Sequence, residues 1–92
     1  MSPAELLEAL VGLCRDAGLE VRSVRRSSEA ASELVARSGV CRVRGALWLV
    51  LSDADGVEER IGAAADALRA HAPDLVEGRY LPPAVRQRLA GG

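Results

Sequence analysis

Six consecutive apolar residues, Ala46-Leu47-Trp48-Leu49-Val50-Leu51, are the feature that most narrows what this chain can fold into. A strand with water on one face alternates polar and apolar side chains; a run without alternation needs cover on both faces and a central position in a sheet. Immediately upstream, Val40 to Arg44 does alternate, with Cys41 and Val43 facing one way and Arg42 and Arg44 the other. Arg44-Gly45 between the two segments permits a tight turn. The pair therefore reads as an antiparallel hairpin whose second, doubly covered strand holds Trp48, and Asp53-Ala54-Asp55-Gly56 ends it.

Helical patterns surround this hairpin. From Pro3 to Ala17, Leu6, Leu7, Leu10, Leu13, Cys14 and Ala17 recur at spacings of three and four, opposite Glu5, Glu8 and Asp16. Ser2 can cap that helix, Pro3 suits its first position, and Gly18 suits the left-handed residue just past its end. Leu19 to Val24 switches to a period of two, with Leu19, Val21 and Ser23 on one side and Glu20 and Arg22 on the exposed side of a short strand. Ser27 and Ser28 precede a short Ala-rich helix with Ala30, Ala31, Leu34 and Val35 on one face, stopped by Ser38-Gly39. Asp55 and Glu58 suggest a capping box ahead of a third helix over Val57 to Ala70, and its narrow face of Val57, Ile61, Ala64 and Leu68 allows close approach to the sheet. Pro73 forbids continuation, Asp74 to Gly78 is a turn or a single helical turn, Tyr80-Leu81 is extended, and Pro83 to Leu89 is a last short helix. The predicted fold is α+β in the order α-β-α-β-β-α-α, a small antiparallel sheet of about three strands packed by helices, with residues 1–92 as one domain.

Composition limits function more than it defines it. At 92 residues, 49% apolar and 27% charged, the chain is ordinary for a compact soluble protein and unlike a disordered, collagenous or membrane-spanning one. Its apolar half is sixteen Ala, thirteen Leu and ten Val with no Phe, so the core is built from small and medium side chains. A chain of this length buries only roughly 60–65% of its unfolded surface, so its stability is marginal without good packing or self-association. Twelve arginines and no lysine balance thirteen carboxylates to a net charge of −1, which argues against a dedicated nucleic-acid or anionic-membrane binder. The stretch Met1 to Glu5 carries acid rather than base, unlike a secretion signal, so a cytoplasmic location is expected. Cys14 and Cys41 form no CxxC and read as two small buried apolar residues.

Each candidate for chemistry has a simpler competing explanation. Asp53-Ala54-Asp55-Gly56 has the alternating carboxylates and bend glycine of part of a calcium loop, but Leu51 and Gly62 stand where the loop needs acids, and helix capping is favoured. His71, the only histidine, follows the third helix where a cation complements the helix dipole, and it has no nearby Cys or His to form a ligand pair. Either thiol would depend on His71 as its base. No catalytic residue, metal or cofactor is expected. Arg22, Arg25, Arg26, Arg42 and Arg44 could line one sheet surface and attract phosphate, although only Trp48 and Tyr80 could stack bases. For a contact surface the sequence offers Arg42, Arg44, Trp48 and Tyr80, since Arg, Trp and Tyr are enriched at binding hot spots, with core packing as the competing role for Trp48.

The segments also follow an order. Gly18-Leu19-Glu20-Val21 joins a helix to a strand, Gly45 to Leu51 is a strongly apolar second hairpin strand, Glu58-Glu59-Arg60 opens a helix, and Arg79-Tyr80-Leu81-Pro82-Pro83-Ala84-Val85-Arg86 puts a hydrophobic pair and proline before a closing helix. This order resembles a shortened ImmA/IrrE-type zincin-like metallopeptidase core. The resemblance implies an H-E-x-x-H helix, and its two histidines and glutamate fall on Ala65, Arg69 and Asp66. Ala65 has no donor atom, Arg69 is a permanent cation, and the family's third ligand has no counterpart between His71 and Arg79. The implied protein is a scaffold without its catalytic apparatus. The resulting expectation is a small non-catalytic cytoplasmic protein that acts by protein–protein contact or self-association, possibly as a homodimer, with no membrane partner. The alternative is a nucleic-acid-associated regulator using the arginine face.

Overall fold

A computed structural model describes residues 1–24 and 38–90. The elements are α1 (Pro3–Asp16), β1 (Glu20–Val24), β2 (Gly39–Val43), β3 (Ala46–Ser52), α2 (Val57–His71), α3 (Pro73–Gly78) and α4 (Pro83–Ala90), an α+β arrangement in the expected order. The helix expected around Ala30, Ala31, Leu34 and Val35 lies outside the described residues.

The ends of α1 are set by local chemistry. At its start the Ser2 amide donates to the Glu5 carboxylate at 2.9 Å and the Glu5 amide donates to Ser2 Oγ at 3.2 Å, a reciprocal capping box. The Ser2 amide and hydroxyl both hold the Glu5 carboxyl below its ordinary pKa. At its end Gly18 sits at φ +94°, the Gly18 amide donates to Arg15 O and the Leu19 amide donates to Cys14 O, the paired bonds of a Schellman motif. These bonds turn the chain directly into β1.

The sheet is mixed, which corrects the expected antiparallel one. Its order is β1-β3-β2, with β2 antiparallel to β3 and β1 parallel to it. The physical reason lies in connectivity. β1 ends and β2 begins at the same end of the sheet, so β1 and β2 run in opposite directions. β3 returns from the hairpin and takes the place between them, and a strand antiparallel to β2 there is necessarily parallel to β1. Strand polarity of this kind is invisible to hydrophobic periodicity. The hairpin turn is as expected, with Arg44 at φ +51° and Gly45 at φ +83°, the two positive values of a type I′ connection.

One hydrophobic core joins α1, α2 and α4 to one face of the sheet. Leu10, Cys14, Leu49, Ile61, Ala64, Ala65 and Leu68 are fully buried there, with Val85 and Leu89 closing it from α4. Ala64 lets α1 approach α2 closely enough for the Cys14 thiol to donate to Ala64 O at 3.7 Å, and burial pushes that thiol up to about 11. Cover on both faces of β3 is realised for Leu49 to Ser52 but not for Ala46 to Trp48. Cys41 is exposed, against expectation, because the register Cys41↔Trp48 turns it away from the core that receives Val40 and Leu49.

The acidic turn is used differently from its expected capping role. Gly56, not Asp55, is the N-cap of α2, and its amide donates to Glu59 Oε2 at 3.0 Å. Asp55 instead accepts the Ser38 amide at 2.6 Å, while Ser38 Oγ accepts the Ser52 amide at 2.9 Å. The acid thereby ties the entry of β2 to the exit of β3. Among the described residues no helix is long and apolar enough to cross a membrane.

Candidate interaction surface

The helices pack on the sheet face that presents Val21, Val40, Leu47, Leu49 and Leu51. Side chains alternate along a strand, so the opposite face presents Glu20 and Arg22 from β1, Cys41 and Val43 from β2, and Ala46, Trp48 and Val50 from β3. Cys41 and Ala46 are exposed on this outer face, Val43 and Trp48 are half-buried, and Val50 is buried.

Trp48 is the centre of that face. The Arg22 guanidinium lies 4.8 Å from the indole centroid, a cation–π stack, and Arg22 Nη2 donates to Glu20 Oε2 at 3.2 Å. Glu20 is the register partner of Trp48 and Arg22 that of Val50, so the two strands set this triad by geometry alone. The indole is half-buried and projects from the sheet face opposite α1, α2 and α4.

The other expected contact residues do not join it. Arg42 pairs with Leu47, which places it on the side opposite Trp48, and its guanidinium donates to Gly45 O at 3.4 Å across the hairpin end. Arg44 is in the turn itself. Tyr80 is 83% exposed in the segment between α3 and α4, beside the ion pair of Arg79 with Asp16. The arginine face suggested by the sequence is likewise divided, because Arg22 and Arg42 lie on opposite sides of the sheet; Arg25 and Arg26 lie outside the described residues. Glu20, Cys41, Val43 and Ala46 escaped sequence reasoning as neighbours of Trp48; Glu20 needed the β1–β3 register, and Cys41 and Val43 the β2–β3 register of the hairpin.

The helix positions singled out by the zincin-like resemblance are occupied otherwise. Ala65 is fully buried in the core. Arg69 Nη1 donates to the carbonyls of Arg88 and Leu89 at 3.4 and 3.3 Å, and Nη2 pairs with Asp66. A guanidinium holding the carbonyl end of α4 and a methyl group packed in the core do not fit a zinc ion. Among the described residues no three of His, Cys, Asp and Glu are grouped to hold a metal ion. Exposed His71 ends α2, beside a shallow depression that Asp66 also lines.

No family model, no curated protein and no solved structure matches this chain.

Proposed function

We propose that this chain is a non-catalytic cytoplasmic protein that acts by protein–protein contact through the outer sheet face, and that the contact is self-association. The observation that carries the reading is the Arg22–Trp48 stack with Glu20 beside it on the face opposite α1, α2 and α4. A two-fold interface must match its own surface, and a patch carrying one acid and one base about an aromatic centre does so: Glu20 of one copy meets Arg22 of the other around paired indoles. The small-residue core and the limited burial available at this length supply a reason to associate. On this reading the zincin-like order of elements is a scaffold put to binding use, with Arg69 serving the packing of α4.

Light scattering and sedimentation at roughly 100 μM, a concentration suited to small interfaces of micromolar affinity, test it. The expected result is a mass approaching twice 9.7 kDa, reduced to the single-chain value by Trp48→Ala. Glu20→Arg should also break the pair, and Glu20→Arg with Arg22→Glu should restore it. A monomer at that concentration removes self-association.

A further inference from the structure

In the strand order β1-β3-β2 only β3 has a neighbour on each side, so among the described strands β1 and β2 each leave one edge without a partner. An edge presents backbone donors and acceptors that template a further strand, and proteins blunt it with proline, a bulge or charge. β1 has none of these defences. Glu20–Val24 contains no proline, and its register with β3 runs from Glu20↔Trp48 to Val24↔Ser52 without a skipped residue. Its two charged residues, Glu20 and Arg22, have opposite signs and are exposed. β2 is different: its one charged residue is Arg42, and the turn beyond it adds Arg44, so two copies of that edge would bring only cations together.

We infer that two copies of this chain join along β1, antiparallel about Val21, extending the sheet from three strands to six with α1, α2 and α4 of both copies on one side. This rests on the self-association proposed above and assigns it a strand and a register. A two-fold axis perpendicular to the sheet sets outer-face residues opposite outer-face residues, which leaves few registers. Centred on Glu20 it opposes two glutamates, centred on Arg22 two arginines, and centred on Ser23 it sets Arg22 against Val24. Centred on Val21 it places Glu20 of each copy opposite Arg22 of the other, with Val21 against Val21 on the core side. Side chains directly opposed across two strands have Cβ atoms about 4.5–5.5 Å apart, closer than the step of roughly 6.6 Å between residues two apart on one strand. The bond of Arg22 to its own Glu20, 3.2 Å long between side chains about half exposed, is thus exchanged for one across the seam. Trp48 lies one strand in and anchors Arg22 there through the stack.

An equal mixture of isotopically labelled and unlabelled full chain at roughly 500 μM, enough to populate a dimer of 100 μM affinity, tests this by filtered NMR, which records only protons of one copy close to those of the other. Expected are inter-copy contacts between the two Val21 residues and between Glu20 and Arg22, with protection of the β1 amides rising with protein concentration. Glu20→Arg, a change at a half-exposed position, should weaken association at least about tenfold, since two attractive pairs become two repulsive ones, and Glu20→Arg with Arg22→Glu should restore it. A dimer with inter-copy contacts at Trp48 and Ala46 but none in β1 would overturn the edge while leaving self-association standing. Glu20→Arg associating as tightly as wild type would overturn the register, and a monomer at this concentration would overturn both readings.

Discussion

Replacing Arg69 by methionine tests whether the last helix is held by a side chain from α2. Methionine keeps an unbranched apolar stem of similar reach to the arginine methylenes and lacks the guanidinium. Arg69 Nη1 reaches two carbonyl oxygens of α4, at 3.4 Å to Arg88 and 3.3 Å to Leu89. A hydrogen bond from a charged donor contributes about 1.5–3 kcal/mol net. Both bonds are long and share one nitrogen, so together they count as a single bond at the lower end, about 1.5 kcal/mol. The pair with Asp66, whose side chain is 72% exposed, adds no more than about 0.5 kcal/mol after solvent screening. The sum, about 2 kcal/mol, lowers the melting temperature of a domain of this size by roughly 8–16 °C. Urea unfolding followed by circular dichroism measures the total, and amide hydrogen exchange locates it. Protection should fall most at Arg86 to Ala90, because α4 meets the core through only Val85 and Leu89. A loss below about 0.5 kcal/mol, or protection lost equally in β3 and α4, would refute the argument that Arg69 acts as a clasp.

Three further outcomes follow from backbone and thiol chemistry. Exposed Cys41 should react with a thiol reagent in the native state while Cys14 stays silent until unfolding, as mass mapping of the labelled protein would record. Because the folded Cys14 thiol titrates near 11 against 9.0 when free, its contribution is intact below about pH 9 and is lost as pH rises toward 11, and Cys14→Ala should flatten that part of the stability profile. Arg44 adopts φ +51°, which asparagine tolerates better, so Arg44→Asn should raise stability by about 0.5–1 kcal/mol in thermal unfolding. No gain there would mean that Arg44 offsets its backbone strain by contacts of its own.

The parts of the fold that were legible are those decided by near neighbours in sequence. Ser2, Glu5, Pro3 and Gly18 specify α1 because capping and left-handed turns act over three or four residues. Arg44-Gly45 specifies the hairpin for the same reason. The polarity of β1 was not legible, since alternation in Glu20 to Val24 is identical whichever way its partner runs. The acidic turn was misassigned by one residue because Asp55 and Gly56 are both good caps, and the choice fell to a distant competitor, the amide of Ser38. For the surface, Trp48 and Arg22 were each visible as residue types capable of contact, but their stacking depends on a register between strands twenty-eight positions apart.

The parallel pairing of β1 with β3 also sets how far apart in sequence the sheet's contacts lie. The hairpin of β2 and β3 closes across two residues and can form as soon as both strands exist, followed at once by α2. Among the described strands β1 pairs only with β3, so its place in the sheet depends on residues more than twenty positions further along the chain. The β1–β3 pairing, which joins positions twenty-eight apart, thus carries the non-local contacts of the sheet, the kind that slow folding, whereas the hairpin closes locally.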